Sequence, residues 1–150
     1  MESTSKLPQY VVDASVAMKW HVRDEPLTDL ADATLLAYRN DLVQLLAPDC
    51  LWYEVAGAIR KALRTGRVTT DDARDSVVDF AGLRIPTFGS RALIVHAYDF
   101  ALRYGCSFYD GVYLALAEAA DCPCLHADYR LRNALAGRFT RELWLEDWSK

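Results

Sequence analysis

Along this 150-residue chain, short apolar runs alternate with longer stretches whose apolar residues recur every three or four positions. Tyr10-Val11-Val12 reads as a strand buried on both faces, with Ala14 to Trp20 behind it as a short helix. A polar break, Arg23-Asp24-Glu25-Pro26, places Pro26 at a first helical position. Apolar residues at 27, 30, 31, 34, 35 and 38 then predict a helix over 27–40. Residues 42–48, closed by Pro48, read as a second strand. The clearest helix follows, because Trp52, Val55, Ala56, Ile59 and Leu63 share one face. Gly66 stops it after the basic residues Arg60, Lys61 and Arg64. Thr69 and Asp72 stand at capping-box spacing and open another helix. Residues 84–88 read as a third strand and 90–105 as a helix closed by Gly105. Residues 107–121 form one more helix, with Ser107 and Asp110 again at capping-box spacing. Cys122 to Asp128 contains a fourth strand, 129–137 is helical, and 141–147 is a last strand with Leu143 and Leu145 alternating.

Short apolar strands between helices indicate βαβ units around a parallel sheet, with right-handed crossovers that put helices on both faces. The expected fold is α/β, a three-layer α/β/α sandwich with a four- to five-stranded, mainly parallel sheet. There are no repeats or Gly/Ser linkers, so residues 10–150 read as a single domain behind a flexible N-terminal tail, 1–9. A composition of 52 % hydrophobic and 25 % charged residues is that of an ordinary globular domain. No apolar run is long enough to span a membrane and no signal core is visible, which predicts a cytoplasmic protein without a membrane partner.

Charge and cysteine usage narrow the chemistry. A net charge of −4 excludes general nucleic-acid binding through a basic field, so any nucleic acid must meet a local patch. Cys50, Cys106, Cys122 and Cys124 form neither a redox C-x-x-C nor half of a usual zinc site, and His21, His96 and His126 form no zinc pair. They read as reduced thiols and scattered imidazoles.

Four acids fall at telling places. In open α/β sheets functional groups gather where strands end, near a switch in strand order. Asp13 ends the first strand and Asp128 the fourth, while Glu54 and Asp110 lie in the first turns of helices. Each alone has a structural reading: Asp13 and Asp128 as helix caps, Asp110 in a capping box, Glu54 paired with nearby basic groups. Their conjunction is harder to explain that way. Two carboxylates about 4 Å apart repel by about 4 kcal/mol at an effective dielectric near 20, so four in one pocket need protons or a divalent cation. Oxygen-only ligands suit magnesium or manganese.

The blocks "YVVDASVAMKW", "WYEVAGAIRKAL", "YDGVYLALAE" and "LHADYRL" resemble the PIN-domain ribonucleases, and more narrowly the VapC-type toxins of toxin–antitoxin pairs. The resemblance runs from Tyr10 to Asp147, with the blocks in the family's order. It implies a magnesium-dependent endoribonuclease, manganese being able to substitute, that hydrolyses RNA phosphodiester bonds. It implies catalytic roles for Asp13, Glu54, Asp110 and Asp128, with Asp13 and Asp110 as metal ligands and Glu54 or Asp128 handling the attacking water. Ser15 matches a small polar position that orients water or phosphate. His126 stands where the family often has a hydroxyl residue, and reads as a strand residue. Arg60, Lys61, Arg64, Arg130 and Arg132 are candidates to meet the RNA backbone. A homodimer and a cognate antitoxin protein are further implications. The alternatives are a PIN-like nuclease for RNA processing or DNA outside a toxin system, and a non-catalytic PIN-type binding module.

Overall fold

The computed structural model describes residues 6–149; residues 1–5 of the expected tail lie outside the described residues. The strands are β1 (Gln9–Val12), β2 (Gln44–Pro48), β3 (Thr87–Phe88), β4 (Cys124–His126) and β5 (Glu142–Trp144). They form one sheet in the order β3-β2-β1-β4-β5, every pair parallel. Val11 lies opposite Leu46 on one side and Cys124 on the other, which makes β1 the centre. Val11 and Val12 are both fully buried, as a parallel strand covered on two faces requires.

The helices are α1 (Ala14–Ala17), α2 (Thr28–Arg39), α3 (Cys50–Arg64), α4 (Thr70–Ala81), α5 (Ile94–Tyr104), α6 (Phe108–Ala120) and α7 (Tyr129–Leu135). Right-handed crossovers from β1 through β2 to β3 place α1–α4 on one face. The return to β4 and β5 places α5–α7 on the other, completing the expected three layers. Chain order reverses between β2-β1 and β4, so the crevice at the carboxyl ends of β1 and β4 is the switch point.

The third strand, expected over 84–88, is confined to Thr87–Phe88, and the helix expected from Ser90 opens with a 3-10 turn, Ser90–Leu93. Local expectations also differ from the structure at three further places. The helix expected over 14–20 is one α-turn followed by a 3-10 turn, Met18–Trp20, where the Trp20 indole donates to the Ala31 carbonyl at 2.9 Å. Pro26 does not open α2; Leu27 adopts a left-handed conformation (φ 63°) and the helix begins at Thr28. Tertiary contact prevails there, because Arg67 clamps Asp24 at 2.6 Å and Glu25 at 2.7 Å from across the fold. The last strand stops at Trp144, and the buried Leu145 opens a 3-10 turn instead of continuing the alternation.

Helix α6 is the buried keystone of its layer. Every residue from Gly111 to Ala117 is buried, and the helix lies over β1, β2 and β4 while α5 packs against it. Gly111 permits the close approach: a Cβ there would collide with the backbone carbonyl of Ala97 on α5. Gly111→Ala should therefore cost about 1–3 kcal/mol through forced separation of the two helices. Equilibrium urea unfolding measures this, and an unchanged midpoint would disprove the close contact.

Candidate active site

The chain geometry at the ends of β1 and β4 follows from two aspartates that cap helices. The Asp13 N–H extends the sheet ladder by donating to the Leu125 carbonyl at 2.9 Å, while Asp13 Oδ2 accepts the Ser15 N–H at 2.9 Å and caps α1. Asp128 Oδ1 accepts the N–H groups of Arg130 at 2.8 Å and Leu131 at 3.4 Å at the start of α7. The two turns are fastened together, because Ser15 Oγ accepts the Ala127 N–H at 2.9 Å. Ser15 thus has a bracing role beyond its expected place near substrate.

Asp110 enters from α6. Its side chain accepts the Ser107 N–H at 3.2 Å and its own N–H donates to Ser107 Oγ at 3.0 Å, a complete capping box. Glu54, in the second turn of α3, has no capping duty. Its Oε1 is buried and has no hydrogen-bond partner among the described residues. The structural readings of Asp13, Asp110 and Asp128 are therefore correct, and they do not prevent these acids from meeting.

The acids sense one another's charge. Burial pushes Asp13 up to about 6, the Ser15 hydrogen bonds pull it back, and the charge of Asp110 adds to the rise. Glu54 is raised first by burial, with Asp110 contributing. Asp110 is raised by burial and, beyond the opposing bonds from Ser107, by Asp128. Among the described residues, none of the four forms an ion pair with a lysine or arginine. The sheet edge thus holds a set of mutually coupled carboxylates without a cationic partner.

This donor set suits a hard divalent cation. Among the described residues no three His, Cys, Asp or Glu side chains close to ligating distance, so there is no preformed cage. Magnesium does not require one, since it is usually held by one or two carboxylates and keeps several waters. The unpartnered Glu54 oxygen and the destabilised charge on Asp13 fit such an ion.

Two neighbours were not assigned from sequence. His126 is fully buried; its Nδ1 accepts the Asp128 N–H at 3.3 Å and its Nε2 stands 2.9 Å from Glu142 Oε1. Both ring nitrogens are engaged, so the imidazole braces the Asp128 turn and is not disposed as a ligand. Tyr113, one helical turn beyond Asp110, is fully buried beneath the acids. Its three-residue spacing from Asp110 was the available signal, but a buried tyrosine on an apolar helix reads first as core. The basic residues divide. Lys61 and Arg64 lie about 10 and 15 Å along α3 from Glu54, whereas Arg130 adjoins Asp128. Arg132 stacks on Trp144 at 4.6 Å.

A parallel α/β sheet in this order, with carboxylates gathered at its switch point, defines a class of protein. The PIN-domain family model matches residues 10–135, and the chain belongs to that family. Among curated relatives, ribonuclease VapC1 of Mycobacterium tuberculosis is 34 % identical over 88 residues, 59 % of this chain and 65 % of that protein. The chain thus spans just under two thirds of the length of this relative. Ribonuclease VapC9 of the same organism is 28 % identical over 123 residues, covering 82 % and 88 % of the two chains. Ribonuclease VapC3 of Pyrobaculum aerophilum is 29 % identical over 125 residues, covering 81 % and 90 %. The crystal structure of PAE2754 from Pyrobaculum aerophilum superposes with a TM-score of 0.67 at 22 % identity, over 93 % of this chain and 85 % of that one, and shares the fold.

Proposed function

We propose that this protein is a metal-dependent endoribonuclease, the toxin of a VapC-type toxin–antitoxin pair, acting as one domain over residues 10–150. The observation that carries this reading is the coupled set of carboxylates at the switch point, without a lysine or arginine partner among the described residues. The names of the relatives supply the substrate, RNA. Magnesium, with manganese as a substitute, is held by Asp13 and Asp110. Bound there, the ion supplies Lewis-acid stabilisation of the phosphate and lowers the pKa of water.

The remaining roles fall to the chain itself. Asp13 is immobilised by the central strand and by Ser15, so its free lone pairs keep a fixed direction. Glu54 is the better general base: it is raised by burial and has no capping duty, whereas one Asp128 oxygen is committed to two backbone N–H groups. Arg130 provides local positive charge for the RNA backbone. Tyr53, Tyr109 and Tyr129, each next in sequence to one of the acids and well exposed, offer faces on which bases can stack. An acidic protein can hold RNA by such local contacts without a basic field.

The partners are RNA, an antitoxin protein and a second copy of this chain. Val95, Tyr98 and Leu102 form an exposed apolar stripe on α5 that suits a dimer contact. No helix among the described residues is long and apolar enough to cross a membrane. The proposed place of action is the cytoplasm, where the RNA is.

Incubation of purified protein with RNA and magnesium or manganese, against chelator, tests the activity directly. Glu54→Gln should lower kcat by about 10²-fold or more, the usual contribution of a general base. Asp128→Asn retains a capping side chain and should cost less. The reverse order, measured in single-turnover cleavage, would transfer the water to Asp128.

A further inference from the structure

Two buried polar atoms beneath the acid pocket lack partners, and they belong to neighbouring side chains. Glu54 Oε1 on α3 and Tyr113 Oη on α6 are each enclosed without a hydrogen bond among the described residues. They are close enough to interact: the Tyr113 hydroxyl and the Cys50 thiol both oppose the rise that burial imposes on Glu54. Asp13 and Glu54 in turn favour the neutral phenol, on top of the dominant effect of burial. An unmade hydrogen bond between buried groups costs about 1–3 kcal/mol, so two orphans side by side are a strong driving force for one bond. Phenylalanine would fill the same volume without that liability.

We propose that Tyr113 is a positioning residue for Glu54, its hydroxyl donating to Glu54 Oε1 and turning the second carboxylate oxygen toward the pocket where the attacking water sits. The inference rests on the nuclease reading for its catalytic consequence, but the hydroxyl–carboxylate link stands independently. The phenol ring is fully buried on α6, and the packing of that helix on the sheet holds it in place. One buried helix then serves the site twice, with Asp110 at its rim and Tyr113 three residues deeper. The arrangement resembles the outer hydrogen bonds that orient metal-bound side chains, whose loss typically costs about 10–100-fold in activity or metal affinity.

Tyr113→Phe is the test. Kcat should fall about 10–100-fold with KM nearly unchanged. In a Glu54→Gln background the same substitution should cause no further loss, because its route to the chemistry is already cut. The readout independent of activity is the ¹³C resonance of the Glu54 side-chain carboxyl in metal-free protein, which should shift in Tyr113→Phe. If Tyr113→Phe does not fold, Glu54→Gln reads the same link from the other side, through a shift of the Tyr113 Cζ resonance. An inactive wild-type protein that still shows the resonance shift would defeat the nuclease reading alone. Unmoved resonances, or an equal kcat loss in both backgrounds, would overturn the role of Tyr113.

Discussion

Asp13→Asn should abolish RNA cleavage and, in metal-free protein at neutral pH, make the fold more stable. Both effects have one origin. Asp13 is buried and its pKa is raised from 3.8 to about 6, so folding favours the protonated form. The stability associated with that proton is complete below about pH 4 and is lost as pH rises through about 6. A rise of about two units corresponds to about 3 kcal/mol, which above pH 6 opposes folding. Asparagine occupies the same space, can still accept the Ser15 N–H and never ionises. The variant should therefore melt several degrees above wild type at pH 7 and converge with it near pH 4. Cleavage should fall by about 10³-fold or more, as expected when a ligand of a charge-stabilising ion is lost. A folded Asp13→Asn protein that cleaves RNA at the wild-type rate would remove Asp13 from the mechanism. A variant less stable than wild type at pH 7 would contradict the buried, uncompensated charge.

Divalent metal should reverse this pH dependence. An ion binding only the folded state stabilises it by RT ln(1 + [L]/Kd), about 2.7 kcal/mol at a hundredfold excess over Kd. It also draws protons off the acids, so it stabilises most where they are otherwise forced to ionise. The melting temperature at pH 7 should climb with magnesium or manganese and fall back with chelator, and the gain should shrink toward pH 4. Asp13→Asn and Asp110→Asn should each remove most of it. Differential scanning fluorimetry across pH and metal concentration measures all of these outcomes. A melting temperature unmoved by millimolar manganese would refute the assignment of Asp13 and Asp110 as ligands.

These expectations connect fold to chemistry. A carboxylate in water loses nothing by being charged, whereas one at the end of a buried strand is destabilised and awaits a cation. The sheet holds Asp13 in that condition, with Asp110 adding like charge from the start of α6. Three of the four acids also cap helices, so each backbone bond that fixes an acid's direction also secures an element carrying the pocket.

The amino-acid sequence by itself determined the local elements and the positions of the acids within them. Periodicity identified the helices, and the Ser107–Asp110 box was legible because its partners are three residues apart. Such interactions depend on neighbours along the chain, and need no knowledge of what lies across the fold. The same locality explains the misplaced start of α2, where Arg67, more than forty residues away, holds the loop before Leu27. Only the tertiary structure decided that β4 lies beside β1, tying Asp13 and Asp128 together through Ser15 and Ala127, 112 positions apart. It also decided that His126 faces Glu142 and that Glu54 and Tyr113 each bury an oxygen without a partner among the described residues. Apolar spacing identifies the buried face of a helix or strand, but the partner of that face is chosen by packing across the whole domain.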